Sequence, residues 1–316
     1  MLRCPLHTTG RRGREGRRTI SPLGGVLSLG LSQVQRRANS SSTAPAATDD
    51  RVGPAKPEER FLDIGQTTPA IVSGAGSGLG RGTARALAAM GAKVAVLDVN
   101  EEGGRAVSEE IGGLFIKCDV SDPGAVADAV AKAVEAHGAP RIVVNCAGIA
   151  VGRKTVSRGE AHDPALFRKV IAVNLIGTFN LSSQVALRMS EAEPLNADGE
   201  RGVIVSTASV AAFDGQMGQI AYAASKAGIA GMTLPMARDL AKSGIRVMTI
   251  APGIFETPML AGMPEDVQAS LAASIPFPSR LGTAEEYAKL AIHVVENPML
   301  NGETIRLDGA IRMQPK

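Results

Sequence analysis

A tyrosine and a lysine one helical turn apart are the residues of this chain best suited to chemistry. Tyr222 and Lys226 are four positions apart in a stretch predicted to be helical, so both side chains lie on one helix face. A tyrosine hydroxyl has a pKa near ~10 and is a weak base at neutral pH, but a nearby ammonium favours the phenolate. The spacing therefore predicts a proton-transfer pair, although two such residues are more often a surface pair.

Two further polar residues could complete such a device. Ser209 lies thirteen residues before Tyr222, directly after a predicted strand, where its hydroxyl could hold a substrate oxygen. Asn174 lies within a long helical stretch. Taken alone, a serine after a strand is usually a turn residue and an asparagine in a helix usually a local hydrogen bonder. Only the combination indicates catalysis.

A glycine-rich segment predicts a phosphate-binding turn. Residues 73–80 read Ser-Gly-Ala-Gly-Ser-Gly-Leu-Gly, follow a strand and open a helix. Small residues at Gly74, Gly78 and Gly80 let the backbone approach a pyrophosphate, and the helix N-terminus offers free N–H groups and a favourable dipole. The segment could be merely a tight turn, but a strand before it and an acid 18 residues after Gly80 complete the dinucleotide-binding pattern.

That acid, Asp98, determines which dinucleotide is predicted. At the end of the second strand its carboxylate would accept hydrogen bonds from the adenosine ribose and repel a 2′-phosphate. Ser77, Val99 and Asn100 occupy the positions from which a basic side chain could bind a 2′-phosphate, and none of them is an arginine or a lysine. The sequence therefore predicts NAD rather than NADP.

The positions of strands and helices indicate one α/β domain. Apolar strands are predicted near 70–72, 93–97, 114–118, 141–145, 202–206, 245–250 and 304–307, with helical stretches between them, notably 101–111, 167–189 and 220–241. Asp122-Pro123 and the capping box Thr283–Glu286 open two more helices. Strands alternating with helices predict a single doubly wound, Rossmann-type parallel sheet with helices on both faces, over residues 61–316, with the ligand beyond the carboxyl ends of the strands.

The first 60 residues have a different composition. Residues 1–48 hold eight arginines, one acid and eleven serines or threonines, as organellar targeting segments do. Prolines and polar residues up to position 60 form a linker. We predict a mitochondrial matrix address, with a disordered tail on a cytoplasmic protein as the alternative. Three scattered cysteines predict a reducing compartment and no disulfide framework.

Composition argues against several functions. The eight arginines and one acid give residues 1–48 a charge of +7, so the rest carries −4 of the total +3. The mild acidity of this remainder and an aromatic content of 3% in the whole chain argue against direct nucleic-acid binding. Four scattered histidines predict no metal site. The N-terminal apolar run is too short to span a membrane, and no span is predicted.

These motifs together resemble the short-chain dehydrogenase/reductase family. Tyr222-Ala-Ala-Ser-Lys226, Ser209, Asn174, the glycine pattern, Asn145-Cys-Ala-Gly148 and Pro252-Gly253 match that family in order. The resemblance implies that Tyr222 takes the substrate proton while Ser209 holds the substrate oxygen. It also implies that Lys226 grips the nicotinamide ribose and that Asn174 anchors a water in a proton relay.

Longer runs are similar to the type 2 3-hydroxyacyl-CoA dehydrogenases, also called type 10 17β-hydroxysteroid dehydrogenases. These runs are 145–151, 207–213, 231–235, 244–253, 275–282 and 300–313. The resemblance implies that the NAD site includes Ser77, Leu79, Asp98, Asp119, Val120, Cys146, Ala147, Gly148, Phe255 and Thr257. Gln216 is expected to face the substrate with Ser209 and Tyr222.

The closer resemblance implies NAD-dependent oxidation of (S)-3-hydroxyacyl-CoA to 3-oxoacyl-CoA, in fatty-acid or branched-chain amino-acid breakdown, with hydroxysteroids as further substrates. A homotetramer is expected from the family. The Met-rich residues 259–274 are expected to form an adaptable lid. Residues 191–201 are expected either to border the entrance as an inserted loop or to be a plain surface loop.

Two alternatives remain. A 3-oxoacyl-acyl-carrier-protein reductase shares the fold and the tyrosine–lysine chemistry but would usually use NADPH, against which Asp98 argues. A non-catalytic scaffold of a mitochondrial tRNA-processing complex, a role of animal relatives, would have no need of Ser209, Tyr222, Lys226 and Asn174.

Overall fold

Seven parallel strands form the main sheet of the computed structural model. The structure describes residues 62–257, 260, 262 and 264–315. The chain divides into two units, Met1–Arg51 and Val52–Lys316, and every described residue belongs to the second. The predicted targeting segment and linker, residues 1–60, lie outside the described residues.

The strands are β1 Pro69–Ser73, β2 Lys93–Asp98, β3 Leu114–Lys117, β4 Ile142–Asn145, β7 Gly202–Thr207, β8 Ile245–Pro252 and β9 Thr304–Leu307, with Val156–Ser157 and Glu160–Ala161 pairing as a small hairpin, β5 and β6. The helices are α1 Gly78–Ala89, α2 Glu101–Ile111, α3 Pro123–His137, α4 Pro164–Ile171, α5 Gly177–Ser190, α6 Ile220–Leu240, α7 Glu265–Ala273 and α8 Ala284–Glu296. The strand order in the main sheet is β3-β2-β1-β4-β7-β8-β9. This order, with helices between the strands, confirms the predicted doubly wound α/β fold.

Every residue of the central strands β1, β4, β7 and β8 is buried, because helices cover both faces of the sheet. Alternate side chains enter two separate cores: Val72 packs with α1 and α8, and Ile71 packs with α3 and α5. Val126 and Val130, one turn apart on α3, are both buried in the second core. Both cores are built mainly from aliphatic side chains, and the first also contains Phe255 and Tyr287.

The predicted helix starts at Asp122 and Thr283 are confirmed. Asp122 accepts from the N–H groups of Gly124 and Ala125, and Thr283 forms a reciprocal capping box with Glu286. The predicted long helix 167–189 is interrupted instead. A π-helical turn, Ala172–Ile176, separates α4 from α5 and contains Asn174.

The stretch Pro164–Ser190 is long and apolar enough to cross a membrane by length and composition alone, and 44% of its most apolar window is buried inside the structure. Val170, Leu181 and Val185 of this stretch are fully buried, and the latter two pack under the sheet. These three side chains therefore form part of the interior of the domain.

The expectation that residues 191–201 border the substrate entrance is wrong. This loop connects the end of α5 to the start of β7, and Arg201 donates its N–H to the carbonyl of Gly244, just before β8. Arg141, just before β4, donates to the carbonyl of Glu193. The loop therefore lies at the amino ends of the strands, the edge opposite to Ser209.

A buried ion pair holds this amino-terminal edge together. Arg246 Nε lies 2.7 Å from Glu200 Oε1, and their side chains are 8% and 6% exposed. Arg246 also donates to four carbonyl groups at and beyond the end of α8: Val294, Val295, Asn297 and Leu300. The guanidinium thus caps the negative end of α8 while neutralising the buried carboxylate.

We expect replacement of Arg246 by Met to lower the free energy of unfolding by about 3–5 kcal/mol, because it leaves a buried carboxylate and several carbonyl groups unpaired. Urea denaturation would measure the loss. The control is Arg188→Met, which removes an exposed pair with Glu191 and is expected to cost less than about 1 kcal/mol. Equal losses in the two variants would contradict the assigned role of Arg246.

Candidate active site

The glycine-rich turn lies between β1 and α1 and depends on close backbone contacts. Gly74 adopts a φ of +64°, and a Cβ there would lie 2.7 Å from the backbone of Ala147. A Cβ on Gly80 would lie 2.3 Å from the carbonyl oxygen of Gly74. Only glycine allows the first strand, the fourth strand and the start of α1 to approach so closely.

The N-terminus of α1 differs from those of the neighbouring helices. Asn100, Asp122 and Asp163 cap α2, α3 and α4 with their side chains. Ser77 occupies the N-cap of α1 without a side-chain hydrogen bond, and the first turn of α1 carries no acidic residue. The positive end of the α1 dipole is therefore left for another anion, which fits the pyrophosphate of a dinucleotide.

Asp98 lies at the end of β2, beside this turn. Its carboxylate accepts hydrogen bonds from the N–H of Gly76 at 2.8 Å and from the N–H of Asn100 at 2.9 Å. A Cβ on Gly76 would lie 2.9 Å from Asp98 Oδ2. Asp98 thus shapes the glycine-rich turn as well as placing a negative charge at its rim.

The other predicted cofactor residues lie at the carboxyl ends of neighbouring strands, as predicted. Asp119 and Val120 follow β3; Asp119 is exposed and accepts from Ser121, whereas Val120 is buried. Leu79 packs partly into the first core. Cys146, Ala147 and Gly148 follow β4, whereas Phe255 and Thr257 follow β8. Of the predicted lid, residues 260, 262 and 264–274 are described, and Glu265–Ala273 form α7.

Asn174 is fully buried in the π-helical turn. Its Oδ1 accepts from the N–H of Ile149 at 2.8 Å, and its Nδ2 donates to the carbonyl of Ile149 at 2.9 Å and to Ser225 Oγ at 3.0 Å. The side chain therefore ties the segment after β4 to α6. π-helical turns occur frequently at functional sites because they shift the backbone out of the α-helical hydrogen-bond pattern.

Lys226 is 4% exposed. Its Nζ donates to the carbonyl of Thr207 at 2.7 Å and lies 5.7 Å from the centre of the Tyr222 ring. Burial lowers the pKa of Lys226 to about 8, because a charged ammonium is poorly solvated in the interior. A Cβ on Gly148 would lie 3.5 Å from Nζ and 3.3 Å from Asn174 Oδ1, so Gly148 keeps space open between these two groups.

Tyr222 and Ser209 meet at the carboxyl end of β7. Burial raises the pKa of Tyr222, and a hydrogen bond with Ser209 acts in the opposite direction. The net effect of the chain's own groups is therefore to raise the pKa of Tyr222. Ser209 itself is 8% exposed, and its Oγ also accepts from the N–H of Ala211.

Gln216 lies in the same region, but its side chain is already engaged. Its Nε2 donates to the carbonyl of Gln314 at 2.9 Å, and its Oε1 accepts from Gln219 at 3.3 Å. The structure therefore brings together Ser209, Tyr222, Lys226 and Asn174, and holds Gln216 in a loop beside them.

Sequence reasoning missed a buried polar cluster beneath the site. Tyr287, fully buried in α8, lies 2.6 Å from Thr207 Oγ1 through its hydroxyl, and both groups contact Cys146 Sγ. Burial raises the pKa of the Cys146 thiol. Because the carbonyl of Thr207 also accepts the hydrogen bond from Lys226 Nζ, the cluster supports the backbone that holds the lysine. A tyrosine in an amphipathic helix carries no sequence signal for such a role.

Comparisons with known proteins agree with this geometry. A family model described as short chain dehydrogenase matches residues 68–268. The human protein named 3-hydroxyacyl-CoA dehydrogenase type-2 is 53% identical over 250 residues, covering 78% of this chain and 95% of the relative. A protein from Chlamydia pneumoniae named 3-oxoacyl-[acyl-carrier-protein] reductase is 34% identical, covering 76% of this chain and 95% of that relative.

A solved structure has the same fold. The crystal structure of 3-hydroxyacyl-CoA dehydrogenase type-2 from Mycobacterium avium matches with a TM-score of 0.75 and 44% identity, covering 79% of this chain and 98% of that one. The chain belongs to the short-chain dehydrogenase family, whose members are oxidoreductases that use a nicotinamide cofactor.

Proposed function

We propose that the protein catalyses the NAD-dependent oxidation of (S)-3-hydroxyacyl-CoA to 3-oxoacyl-CoA. The observation that carries the proposal is the convergence of Ser209, Tyr222 and Lys226 at the end of β7, with Asn174 behind them. Relatives about half identical to this chain, from human and Drosophila, are named for this activity. Hydroxysteroids are a further candidate substrate class, since the resembling family includes steroid dehydrogenases.

In the proposed reaction Tyr222 is the general base. The substrate hydroxyl would lie between Tyr222 and Ser209, which meet at the carboxyl end of β7. Ser209 would donate to the substrate oxygen and fix its orientation, while the tyrosine oxygen takes the hydroxyl proton. A nicotinamide bound beside Tyr222 would supply the acceptor for the hydride that leaves the hydroxyl-bearing carbon, and also a positive charge. That charge opposes the effect of burial and favours the phenolate.

Lys226 and Asn174 would carry the proton away. The Lys226 ammonium would hold the nicotinamide ribose as well as the Thr207 carbonyl, which keeps its charge close to the phenolate. Asn174 is proposed to anchor a water that relays protons from Lys226 towards solvent. The gap over Gly148, bordered by Asn174 Oδ1 and Lys226 Nζ, supports the placement of a small molecule between them.

The choice of NAD rests on Asp98. Its carboxylate is fixed by two backbone N–H groups at the rim of the glycine-rich turn, where the adenosine ribose would lie. It would bind the ribose hydroxyls and repel a 2′-phosphate. The neighbouring Val99 is exposed and offers no compensating positive charge. The backbone of residues 74–80, together with the segments after β3, β4 and β8, would complete the cofactor site.

The proposed preference for NAD argues against a 3-oxoacyl-carrier-protein reductase. The relative of that name is 34% identical to this chain, whereas the human 3-hydroxyacyl-CoA dehydrogenase type-2 is 53% identical. An inert scaffold would not need a buried lysine, whose burial destabilises the fold. The Arg-rich N-terminal sequence supports a mitochondrial matrix location, which suits acyl-CoA oxidation. A homotetramer remains a prediction from the family resemblance.

Replacement of Tyr222 by Phe should lower turnover of 3-hydroxybutyryl-CoA about 100- to 10,000-fold, because the general base is lost. NADH binding, followed by fluorescence, should stay within about twofold. The chain contains two tyrosines, and Tyr287→Phe is the comparison: its hydroxyl bonds to Thr207 beneath the site, so its loss should lower turnover much less than Tyr222→Phe. Retained turnover in the Tyr222 variant would overturn the assignment of the base.

Initial rates of acetoacetyl-CoA reduction should favour NADH over NADPH in the wild-type protein. Replacement of Asp98 by Asn keeps a hydrogen-bond acceptor but removes the charge, and should narrow that preference by about tenfold or more. The exposed Asp128 on α3 gives the control Asp128→Asn, for which the preference should not change. A wild-type preference for NADPH would contradict NAD as the cofactor.

Stability should depend on pH through Lys226. Its pKa is lowered from 10.5 in the unfolded chain to about 8 in the fold, so between these values the unfolded state binds more protons and stability rises with pH. Relative to Lys226→Met, the wild-type protein should gain about 3 kcal/mol in unfolding free energy between pH 8 and 10.5. Urea denaturation at several pH values measures this difference. The exposed Lys132→Met should show the pH profile of the wild type.

A further inference from the structure

The loop between Ser209 and Tyr222 is held by the C-terminal residues of the chain. We call residues 213–219 the substrate loop and residues 308–315 the C-terminal strap. Gln216 Nε2 donates to the carbonyl of Gln314 at 2.9 Å, and the N–H of Met217 donates to the carbonyl of Pro315 at 3.0 Å. The loop is thus bonded to a segment almost 100 residues away along the chain, through both a side chain and the backbone.

Arg306 connects the loop, the strap and the sheet. It lies in β9, whose residues pair with β8, and its Nη2 donates to Asp214 Oδ2 at 2.6 Å and to the carbonyl of Ile311 at 3.0 Å. Its Nε donates to Asp308 Oδ2 at 2.7 Å, and its guanidinium lies 5.5 Å from the centre of the Phe213 ring. One planar group therefore anchors the loop, through Asp214 and Phe213, and the start of the strap, through Asp308 and Ile311.

The partners of Arg306 are only partly exposed to water. Its side chain is 22% exposed, that of Asp214 20% and that of Asp308 9%. The Arg306 guanidinium lowers the pKa of Asp214, so the pair stays charged across the working pH range. Partial burial weakens solvent screening, which makes this pair stronger than an ordinary surface ion pair.

The loop between Ser209 and Tyr222 exposes two large apolar side chains. Phe213, four residues after Ser209, is 53% exposed, and Met217, five residues before Tyr222, is 49% exposed. Large apolar side chains exposed beside a catalytic hydroxyl pair suit contact with a hydrocarbon chain. Their positions depend on the loop backbone, and the loop backbone depends on Arg306 and the strap.

We infer that Arg306 is a positioning residue that, with the C-terminal strap, sets the substrate loop against the acyl chain and so determines acyl-chain preference. The inference rests on the proposed function, because it assigns the acyl chain to Phe213 and Met217. Arg306 is expected to act on substrate binding. The cofactor site, formed at the carboxyl ends of β1, β2, β3, β4 and β8, is expected to stay unchanged.

The test compares Arg306→Met with Arg306→Lys, which keeps the charge but loses the fork of donors. Hydrogen exchange of peptides covering residues 213–219 should quicken about tenfold in Arg306→Met, the effect of losing one charge-assisted hydrogen bond. In Arg306→Met the KM for a long-chain 3-oxoacyl-CoA should rise about fivefold more than the KM for acetoacetyl-CoA. NADH affinity should stay within about twofold. Arg306→Lys should fall between the wild type and Arg306→Met.

The control is Arg312→Met. Arg312 is 63% exposed and contacts Asp308 and the carbonyl of Ile311, but donates to no residue of the substrate loop. Its exchange rates and KM values should match the wild type. Unchanged exchange in Arg306→Met, or an equal rise in KM for both chain lengths, would overturn the inference. Parallel weakening of NADH binding would do so as well, since it would show a general loss of structure.

A wild-type protein that does not turn over any acyl-CoA would contradict the proposed function alone. In that case the exchange rates of residues 213–219 in Arg306→Met and Arg312→Met would still decide whether Arg306 holds the loop.

Discussion

The bond between the Lys226 ammonium and the carbonyl of Thr207 is the contact on which the arrangement of the site depends. A buried ammonium must find a strong acceptor, and here the acceptor is the last residue of the central strand β7. This contact fixes the register of α6 against the sheet. Because Tyr222 lies one turn earlier on the same helix, its hydroxyl is then placed next to Ser209, two residues beyond Thr207.

Groups from distant parts of the chain support this contact. Tyr287 of α8 bonds to Thr207, whereas Asn174 ties the segment after β4 to Ser225 on α6. Each of these polar groups is buried and satisfied, so displacing any of them would leave an unpaired group in the interior. The lysine bonds directly to the sheet at Thr207, and Tyr287 and Asn174 hold the residues next to that bond.

Much of the fold followed from the sequence because its signals are local. The caps at Asp122 and Thr283 need only a few neighbouring residues, and the apolar strands need only their own side chains. The π-helical turn at Asn174 could not be predicted, because it is stabilised by contacts with Ile149 and Ser225, both distant in sequence. The side of the sheet reached by residues 191–201 was misjudged, since composition does not state which strand ends a loop joins.

The candidate site shows the same division. Ser209, Tyr222, Lys226 and Asp98 can be proposed from the sequence because their spacing relative to the strands is itself the signal. The position of Gln216 was predicted, but its bond to Gln314 depends on a strap that returns from the other end of the domain. Tyr287 and Arg306 belong to this second group: their roles come from tertiary contacts alone.

The two strand edges of the domain use buried polarity for opposite purposes. At the amino edge Arg246 and Glu200 neutralise each other and satisfy the end of α8, so the charges support the fold and leave nothing free to react. At the carboxyl edge Lys226 lies among neutral partners and has a lowered pKa. An opposing carboxylate there would stabilise the protein but would also fix the ammonium and shield the phenolate from it. The stability given up at Lys226 is therefore a condition of its proposed chemistry, and it explains why the groups around Lys226 are hydroxyl, amide and carbonyl groups.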